Sequence, residues 1–270
     1  TTYSGSDYVM FSDTLSMYPV QDSEKWFEIP VVATNICDYD RSFGVEVDDK
    51  ASNAIEKKQY VVESNTVTIK AGERVAKFRM KGVYENIGKT DSLSVTFNLL
   101  AKDENIWDLY GTRTRVQMQK ACPFELSTFE GYCLLTSSFF SAYMTDTEHR
   151  LLQAERDKTE DNTIILHDFF YKNYDLKIKY DPSDPLKPFV EFDDQIIGST
   201  AEAFGTIYGN GKLMCTQPVA YDSYYNVCQK FVFLYSTIYV VGKGTVGTYV
   251  NILEWISDEE AEQYKKEEGL

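Results

Sequence analysis

Residues 59–80, QYVVESNTVTIKAGERVAKFRM, carry the pattern that most constrains the fold. Val67 and Ile69 alternate with polar residues before an Ala-Gly-Glu connection. Phe78 and Met80 alternate with lysine and arginine after it. A period of two on both sides of a short glycine-bearing turn is typical of an antiparallel β-hairpin with one buried face. The pattern therefore predicts a β-sandwich for the first half of the chain.

Other alternating segments in this half extend the same prediction. Strands are expected at residues 8–11, 26–34, 43–47, 92–100 and 113–119. Pro30 has no backbone N–H to donate, which predicts a sheet edge or a bulge at that position. Seven or eight short strands in about a hundred residues are typical of an immunoglobulin-like sandwich. Residues 1–7 are small and polar and are expected to form a tether.

The pattern changes at Cys122-Pro123, which predicts a boundary between domains of residues 1–122 and 123–270. Strands are expected at residues 132–140, 149–156, 163–169, 176–180, 189–197, 227–240 and 245–256, with a tight hairpin at Gly209-Asn210-Gly211. About eight antiparallel strands in meander order fit either a small barrel or a second two-sheet sandwich. The chain is thus predicted to be all-β, and residues 257–270 to form a capped, solvated acidic helix.

Composition excludes several classes of protein. The formal net charge of −15, without any basic stripe, opposes binding to nucleic acids or anionic membrane surfaces. The five cysteines form no C-x-x-C pair, so zinc ribbons and thioredoxin-like redox chemistry have no support. Cys215 and Cys228 are either partners in a disulfide across a hairpin or buried free thiols.

Catalytic patterns are missing from the sequence. His149 and His167 are the only histidines, and no nucleophile-elbow, zinc-protease, P-loop or dinucleotide-binding motif occurs. We therefore predict no catalytic residue, no metal site and no cofactor. A carboxylate-based hydrolase is the remaining enzymatic alternative, because among 42 acidic residues some pair lies at any chosen spacing.

Aromatic residues next to polar ones are the candidates for ligand binding. Two loops are expected to carry them: Tyr221, Asp222, Tyr224, Tyr225 and Asn226 in the second domain, and Trp107 with Tyr110 in the first. Planar rings beside amide and carboxylate groups can stack on sugars and bond their hydroxyls. The alternative is that the tyrosines pack their rings in the core and leave their hydroxyls in water.

The motifs of the first half also resemble a known family. They are Asp38-Tyr39-Asp40-Arg41, Val45-Glu46-Val47, Tyr60 and Val67-Thr68-Ile69-Lys70-Ala71-Gly72-Glu73. Together they resemble the immunoglobulin-like domain, without assigned activity, at the front of two-domain surface lipoproteins of gut Bacteroidetes, and more distantly Calx-β repeats. The resemblance implies a lipocalin-like second domain, although Gly131-Tyr132-Cys133 stands where lipocalins have Gly-x-Trp.

The resemblance carries further expectations about location and metal binding. It implies a lipidated cysteine just upstream of Thr1 and attachment to the outer membrane on the extracytoplasmic side, through that lipid alone. Some Calx-β domains bind calcium through loop carboxylates. The corresponding candidates here are Asp38, Asp40, Asp48 and Asp49, with ordinary solvated acids as the alternative.

Three functions remain open from the sequence. The first is a non-enzymatic accessory protein that binds an extracellular carbohydrate or a partner surface protein. The second is a barrel that encloses a small apolar ligand, which requires an internal cavity. The third is a structural spacer, which requires no concave or aromatic surface.

Overall fold

The computed structural model describes residues 5–109 and 111–270, in two compact units, Thr1–Cys122 and Pro123–Leu270. The strands of the first unit are β1 (Val9–Phe11), β2 (Leu15–Val20), β3 (Phe27–Ala33), β4 (Arg41–Val47), β5 (Tyr60–Val62), β6 (Thr66–Ile69), β7 (Val75–Gly82), β8 (Leu93–Leu100) and β9 (Arg113–Lys120). Short 3₁₀ turns lie at Asp49–Ala51, Tyr84–Asn86 and Asp103–Asn105.

These strands form the two sheets of a β-sandwich, as predicted. One sheet has the order β1-β3-β7-β5 and the other β2-β9-β8-β4-β6, with β2 and β9 parallel. The inward side chains of both sheets form one buried cluster. Within it, the rings of Phe78 and Phe97 meet edge to face, with centroids 4.9 Å apart.

The two alternating runs of residues 59–80 lie in different sheets. β6 pairs with β4, whereas β7 pairs with β3 and β5. The connection between them crosses the sandwich, so the predicted antiparallel hairpin is wrong. The buried faces are nevertheless those predicted, because Val67, Ile69, Phe78 and Met80 all lie in the core. Alternation specifies which face is buried, and tertiary packing selects the partner strand.

Side chains from the Asp-Tyr-Asp-Arg motif hold this crossing connection. The Asp40 carboxylate accepts a hydrogen bond from the Ala71 backbone N–H at 2.9 Å. Arg41 is buried, donates to the Glu73 carbonyl at 2.9 Å, and forms an ion pair with Asp7 at 3.0 Å. The motif that carries the family resemblance therefore stabilises the corner between the two sheets.

Three details of the first unit differ from the predictions. β2 was not predicted. Pro30 lies in an internal strand rather than at a sheet edge, but β1 ends beside it, and the Pro30 carbonyl accepts from Ser12 N at 3.0 Å. In the expected tether, Gly5 and Ser6 accept hydrogen bonds from the sandwich, and residues 1–4 lie outside the described residues.

The second unit is also rich in strands. They are β10 (Gly131–Ser137), β11 (Arg150–Arg156), β12 (Thr163–Leu166), β13 (Leu176–Tyr180), β14 (Phe189–Glu191), β15 (Gln195–Ser199), β16 (Lys212–Thr216), β17 (Ser223–Asn226), β18 (Phe231–Val240) and β19 (Gly244–Ile256). The helices are α1 (Ser138–Tyr143), α2 (Thr200–Phe204) and α3 (Asp258–Glu268), with a 3₁₀ turn at Leu126–Phe129.

Eight of these strands close into an antiparallel barrel. The order is β18-β17-β14-β13-β12-β11-β10-β19, and pairing of β19 with β18 completes the ring. The β15–β16 pair extends from β18 beside it. Of the two architectures predicted for this half, the barrel is confirmed and the second sandwich is wrong.

Local assignments in the second unit need correction. Phe139 and Phe140 lie in α1 rather than in a strand. The strand predicted at residues 189–197 is interrupted between β14 and β15. The Gly209-Asn210-Gly211 turn lies between α2 and β16. It therefore does not join two strands as a tight hairpin.

Side chains fill the barrel interior. Among its strands, all of which lie within the described residues, eleven inward aliphatic side chains are 0–2% exposed: Leu135, Leu152, Ile164, Leu166, Leu176, Ile178, Val190, Val232, Leu234, Ile238 and Leu253. A water-sized void would leave accessible area on the side chains around it, so this burial indicates close packing. Phe129 precedes β10 and Phe139 follows it, and both rings are buried.

Three polar side chains inside the barrel, Ser137, Ser236 and Asn251, form a hydrogen-bond network. Ser137 Oγ donates to Asn251 Oδ1 at 2.6 Å. Asn251 Nδ2 donates to the Leu234 carbonyl and to Ser236 Oγ, both at 2.9 Å. Because buried polar groups are costly without partners, this network lets polar residues share the packed interior.

The last helix confirms the predicted cap. The Ser257 side chain accepts from Glu260 N, and the Glu260 side chain accepts from Ser257 N, which completes a capping box. Ala261 is buried and Tyr264 Oη donates to the His149 carbonyl, so α3 packs on the barrel rather than being fully solvated. No helix of the described residues has the length and apolar character needed to cross a membrane.

The cysteines are either free thiols, of which Cys37 is only partly buried, or disulfide-bonded. Cys133 and Cys215 are free and buried, and burial raises the pKa of the Cys215 thiol to about 12. Cys228 is disulfide-bonded. The predicted alternative of a Cys215–Cys228 disulfide is therefore wrong.

Neighbouring positions on β13 provide a direct test of the filled barrel. Ile178 is fully buried and Lys179 is exposed. We expect Ile178→Ala to lower the free energy of unfolding by about 2–5 kcal/mol, because it leaves a cavity among packed side chains. Lys179→Ala should change it by less than about 0.5 kcal/mol. Urea unfolding of both variants measures the difference, and equal effects would contradict a packed interior.

Candidate functional site

The outer surface of β17 and β18 carries a group of partly exposed aromatic rings. We call it the aromatic face: Tyr221, Tyr224, Phe231, Phe233 and Tyr235. Tyr221 stacks on Tyr235, with centroids 5.2 Å apart and an interplanar angle of 24°. Tyr224 stacks on Phe233 at 5.4 Å and 5°. The Phe233 ring centroid lies 6.3 Å from the ring centroids of both Phe231 and Tyr235, so the five rings form one continuous group.

The barrel geometry places these rings together. Along β18 buried and partly exposed residues alternate strictly, so that Val232 and Leu234 point inward while their neighbours point outward. Tyr224 and Phe233 are directly opposite in the antiparallel register, which brings their rings within stacking distance. Tyr221 precedes β17 and is 54% exposed.

Only part of the predicted tyrosine loop belongs to this face. Tyr225 is 5% exposed because alternation turns it into the barrel, where its hydroxyl donates to the Asp181 carbonyl at 3.1 Å. Burial raises the pKa of Tyr225 to about 12. Asn226 Oδ1 accepts from the Gln229 backbone N–H at 2.8 Å and holds the following turn. Asp222 is exposed beside Tyr221.

The error has a clear origin in the sequence. Residues 223–226 were expected to be a loop, whereas they form β17, which separates Tyr224 from Tyr225 onto opposite faces. Phe231, Phe233 and Tyr235 were missed as site residues. Alternation along a strand places them on one face, but residues 231–235 are apolar or aromatic throughout, so the sequence does not show which face is outward.

The second predicted site lies in the first unit. The Trp107 ring stacks on Tyr8, with centroids 5.7 Å apart and an interplanar angle of 17°. Tyr110 lies outside the described residues. Trp107 is half-buried and packs its ring just before the start of β1.

The histidine considered for catalysis is held by two carboxylates. His167 Nδ1 lies 3.1 Å from Asp175 Oδ2, and Nε2 lies 3.2 Å from Glu155 Oε2. Burial alone lowers the pKa of His167, but these hydrogen bonds and charges raise it above its ordinary value. Both ring nitrogens are occupied by carboxylates, an arrangement that stabilises the protonated ring.

Two of the four loop carboxylates, Asp40 and Asp48, have structural partners. Asp40 binds Lys70 Nζ at 2.8 Å, and this hydrogen bond lowers the pKa of Asp40. Asp48 caps the 3₁₀ turn Asp49–Ala51 and pairs with Arg113 at 3.0 Å. Among residues 5–109 and 111–270, no three His, Cys, Asp or Glu side chains are grouped so that they could hold a metal ion.

An acidic depression on the barrel contains a carboxylate that is already bonded to neighbouring side chains. It has a volume of about 330 Å³ and is lined by Leu126, Arg156, Asp157, Glu160, Asp161 and Asn162. The Asp157 carboxylate forms an ion pair with Lys177 and accepts from the Thr159 backbone and side chain. The hydrogen bond with Lys177 is the largest cause, followed by those with Thr159, and together they hold the pKa of Asp157 well below its usual range.

Residues 109–267 match the family described as "Domain of unknown function (DUF4984)". The match spans more than half of the chain, and the chain therefore belongs to this family. It includes all of the barrel and the aromatic face. Comparison with curated proteins finds no match.

Solved structures show only remote similarity. A protein of unknown function from Bacteroides ovatus is 9% identical, with 91% of this chain and 89% of that chain covered and a TM-score of 0.38. A protein from Bacteroides ovatus ATCC 8483 to which carbohydrate binding is ascribed is 12% identical, with 90% and 67% covered and a TM-score of 0.34. The apo Calx CBD1 domain is 15% identical, with 44% and 100% covered and a TM-score of 0.35. Similarities of this size carry no functional argument.

The His167 contacts predict a pH dependence of stability. The pKa of His167 is raised in the folded chain above the ordinary value of 6.5. Its stabilising contribution should be fully present below pH 6.5 and lost as the pH rises through the folded pKa. NMR titration of the His167 ring should give a pKa above 6.5, and Asp175→Asn should lower it. An unchanged pKa in Asp175→Asn would contradict the assigned ion pair.

Proposed function

We propose that this chain is a non-enzymatic extracytoplasmic protein that binds carbohydrate through the aromatic face of its second unit. The observation that carries the proposal is the continuous group of five partly exposed rings on the outer surface of β17 and β18. Clustered exposed aromatic surface is unfavourable in water and commonly marks an interaction site.

The chemistry of the face suits sugars. Phe233 and Phe231 offer apolar ring surface on which the C–H face of a pyranose can stack. The hydroxyls of Tyr221 and Tyr224 and the Asp222 carboxylate add hydrogen-bonding groups beside the rings. Partial burial raises the pKa of Tyr224, so its hydroxyl remains protonated and able to donate.

The packed interior disfavours the other ligand-binding function. A small apolar ligand inside the barrel requires a cavity of about 300 Å³ or more. The side chains that would line it contact one another in a single buried cluster instead. A ligand is therefore better accommodated on the outer surface, where aromatic area remains accessible.

The cellular location is part of the same proposal. Disulfide-bonded Cys228 is consistent with an oxidising compartment, since disulfides persist mainly outside the cytosol. The resemblance to surface lipoproteins of gut Bacteroidetes adds a lipid anchor on the outer membrane. A protein at that position would meet extracellular polysaccharides.

Substitutions in the aromatic face test the proposal. Tyr224→Ala and Phe233→Ala should each weaken binding to a carbohydrate selected on a glycan array by about fivefold to tenfold, because each removes one ring of a stacked pair. Calorimetry measures the affinities, and near-UV circular dichroism verifies the fold. Tyr39→Ala is the control, since Tyr39 is 61% exposed in the first unit.

Two results would contradict the proposal. One is the absence of carbohydrate binding by the intact chain across the array. The other is binding that survives both Tyr224→Ala and Phe233→Ala while Tyr39→Ala also has no effect.

A further inference from the structure

The outward side chains of β18 continue beyond the aromatic face. After Phe231, Phe233 and Tyr235, the next outward positions are Thr237 and Tyr239, and all five are partly exposed. We call this row the β18 track. Its first two members are phenylalanines and its last three carry hydroxyls, so the track changes from apolar to polar along the strand.

A carboxylate lies at the polar end of the track. Asp194 is exposed, and its oxygens accept hydrogen bonds from Tyr239 Oη at 2.8 Å and from Thr216 Oγ1. The hydrogen bond from Tyr239 to Asp194 is the main cause of the raised pKa of Tyr239. Next to it, Thr237 and Thr248 share a hydroxyl–hydroxyl hydrogen bond of 2.8 Å.

Asp194 lies in the break between β14 and β15. The chain leaves β14 at Glu191 and resumes pairing at Gln195, which leaves Asp194 in an irregular segment. The Gln195 side chain bonds the backbone N–H and carbonyl of Lys177, at 2.8 and 2.9 Å. These two hydrogen bonds take the place of backbone pairing between β13 and β15. They thereby position the segment that carries Asp194.

The dimensions of the track exceed a single sugar. Eight residue steps separate Phe231 from Tyr239, which at ~3.4 Å per residue gives about 27 Å. The strand is paired with β19 along this length, with one register shift between Ile238 and Tyr239, and the pairing holds the outward side chains in a row. A rigid row of this length suits an extended chain molecule that contacts several positions at once.

The charge around the track is mainly negative. Asp222 follows Tyr221, Glu254 is the cross-strand partner of Phe231, and Asp194 lies at the far end, while Lys230 directly before Phe231 is positive. The whole chain carries a net charge of −15. An anionic polymer such as a uronate would be repelled, whereas an uncharged polysaccharide can use the carboxylates as acceptors for its hydroxyls.

We infer that the β18 track binds an extended, uncharged polysaccharide, with sugars stacked at Phe231, Phe233 and Tyr235 and hydroxyls bonded at Asp194 and Tyr239. The inference rests on the proposed carbohydrate binding and adds the length, orientation and charge class of the ligand. Binding at both ends at once makes affinity depend on the number of linked sugars.

Oligosaccharide length provides the test. Calorimetry of the intact chain would compare gluco-, manno- and xylo-oligosaccharides from disaccharide to hexasaccharide, with polygalacturonate as the anionic polymer. Affinity for at least one neutral series should rise with length, and polygalacturonate should bind more weakly than that hexasaccharide. Asp194→Ala and Tyr239→Phe should weaken hexasaccharide binding by about threefold to tenfold and leave disaccharide binding unchanged.

The control is Asp161→Asn, which removes an exposed charge in the turn between β11 and β12, across the ring of strands from β18. Carbohydrate binding that does not depend on length, or that is equally tight for polygalacturonate, would overturn the β18 track and leave the proposed function standing. Equal hexasaccharide affinity of Asp194→Ala, Tyr239→Phe and the unmodified chain would also overturn the β18 track and leave the proposed function standing. No carbohydrate binding at all would overturn both.

Discussion

The pairing of β18 with β19 is the interaction on which the second unit depends. It runs from Phe231 opposite Glu254 to Val240 opposite Gly244 and closes eight strands into a ring. Closure removes sheet edges and turns every second side chain inward, where packing leaves no room for a ligand. Groups that can bind a ligand therefore remain accessible at the outward positions of β18, and several of these positions carry aromatic rings.

Alternation in the sequence predicted burial better than it predicted pairing. Val67 and Ile69, and likewise Phe78 and Met80, face the core as expected. Their strands nevertheless belong to opposite sheets, because a period of two is the same for a hairpin and for a connection that crosses a sandwich. The side chains that hold the crossing, such as Asp40, come from a distant loop that no local pattern identifies.

The candidate site was only partly predictable for the same reason. Tyr221 and Tyr224 stand out as aromatic residues beside polar ones, and the structure places both on the outer surface. Tyr225 has the same composition around it but points into the barrel. Phe233 and Tyr235 look like core residues in the sequence, and only closure of the ring shows that they face outward.

The central claim is that ligands meet the outside of this barrel and not its interior. Mapping of amide and side-chain NMR shifts during titration with a neutral oligosaccharide tests it most directly. The account predicts changes at Tyr224, Phe233 and Tyr235, with interior residues such as Ile178 unaffected. Changes concentrated at Ile178 and its buried neighbours, with the outer surface of β18 unperturbed, would contradict it.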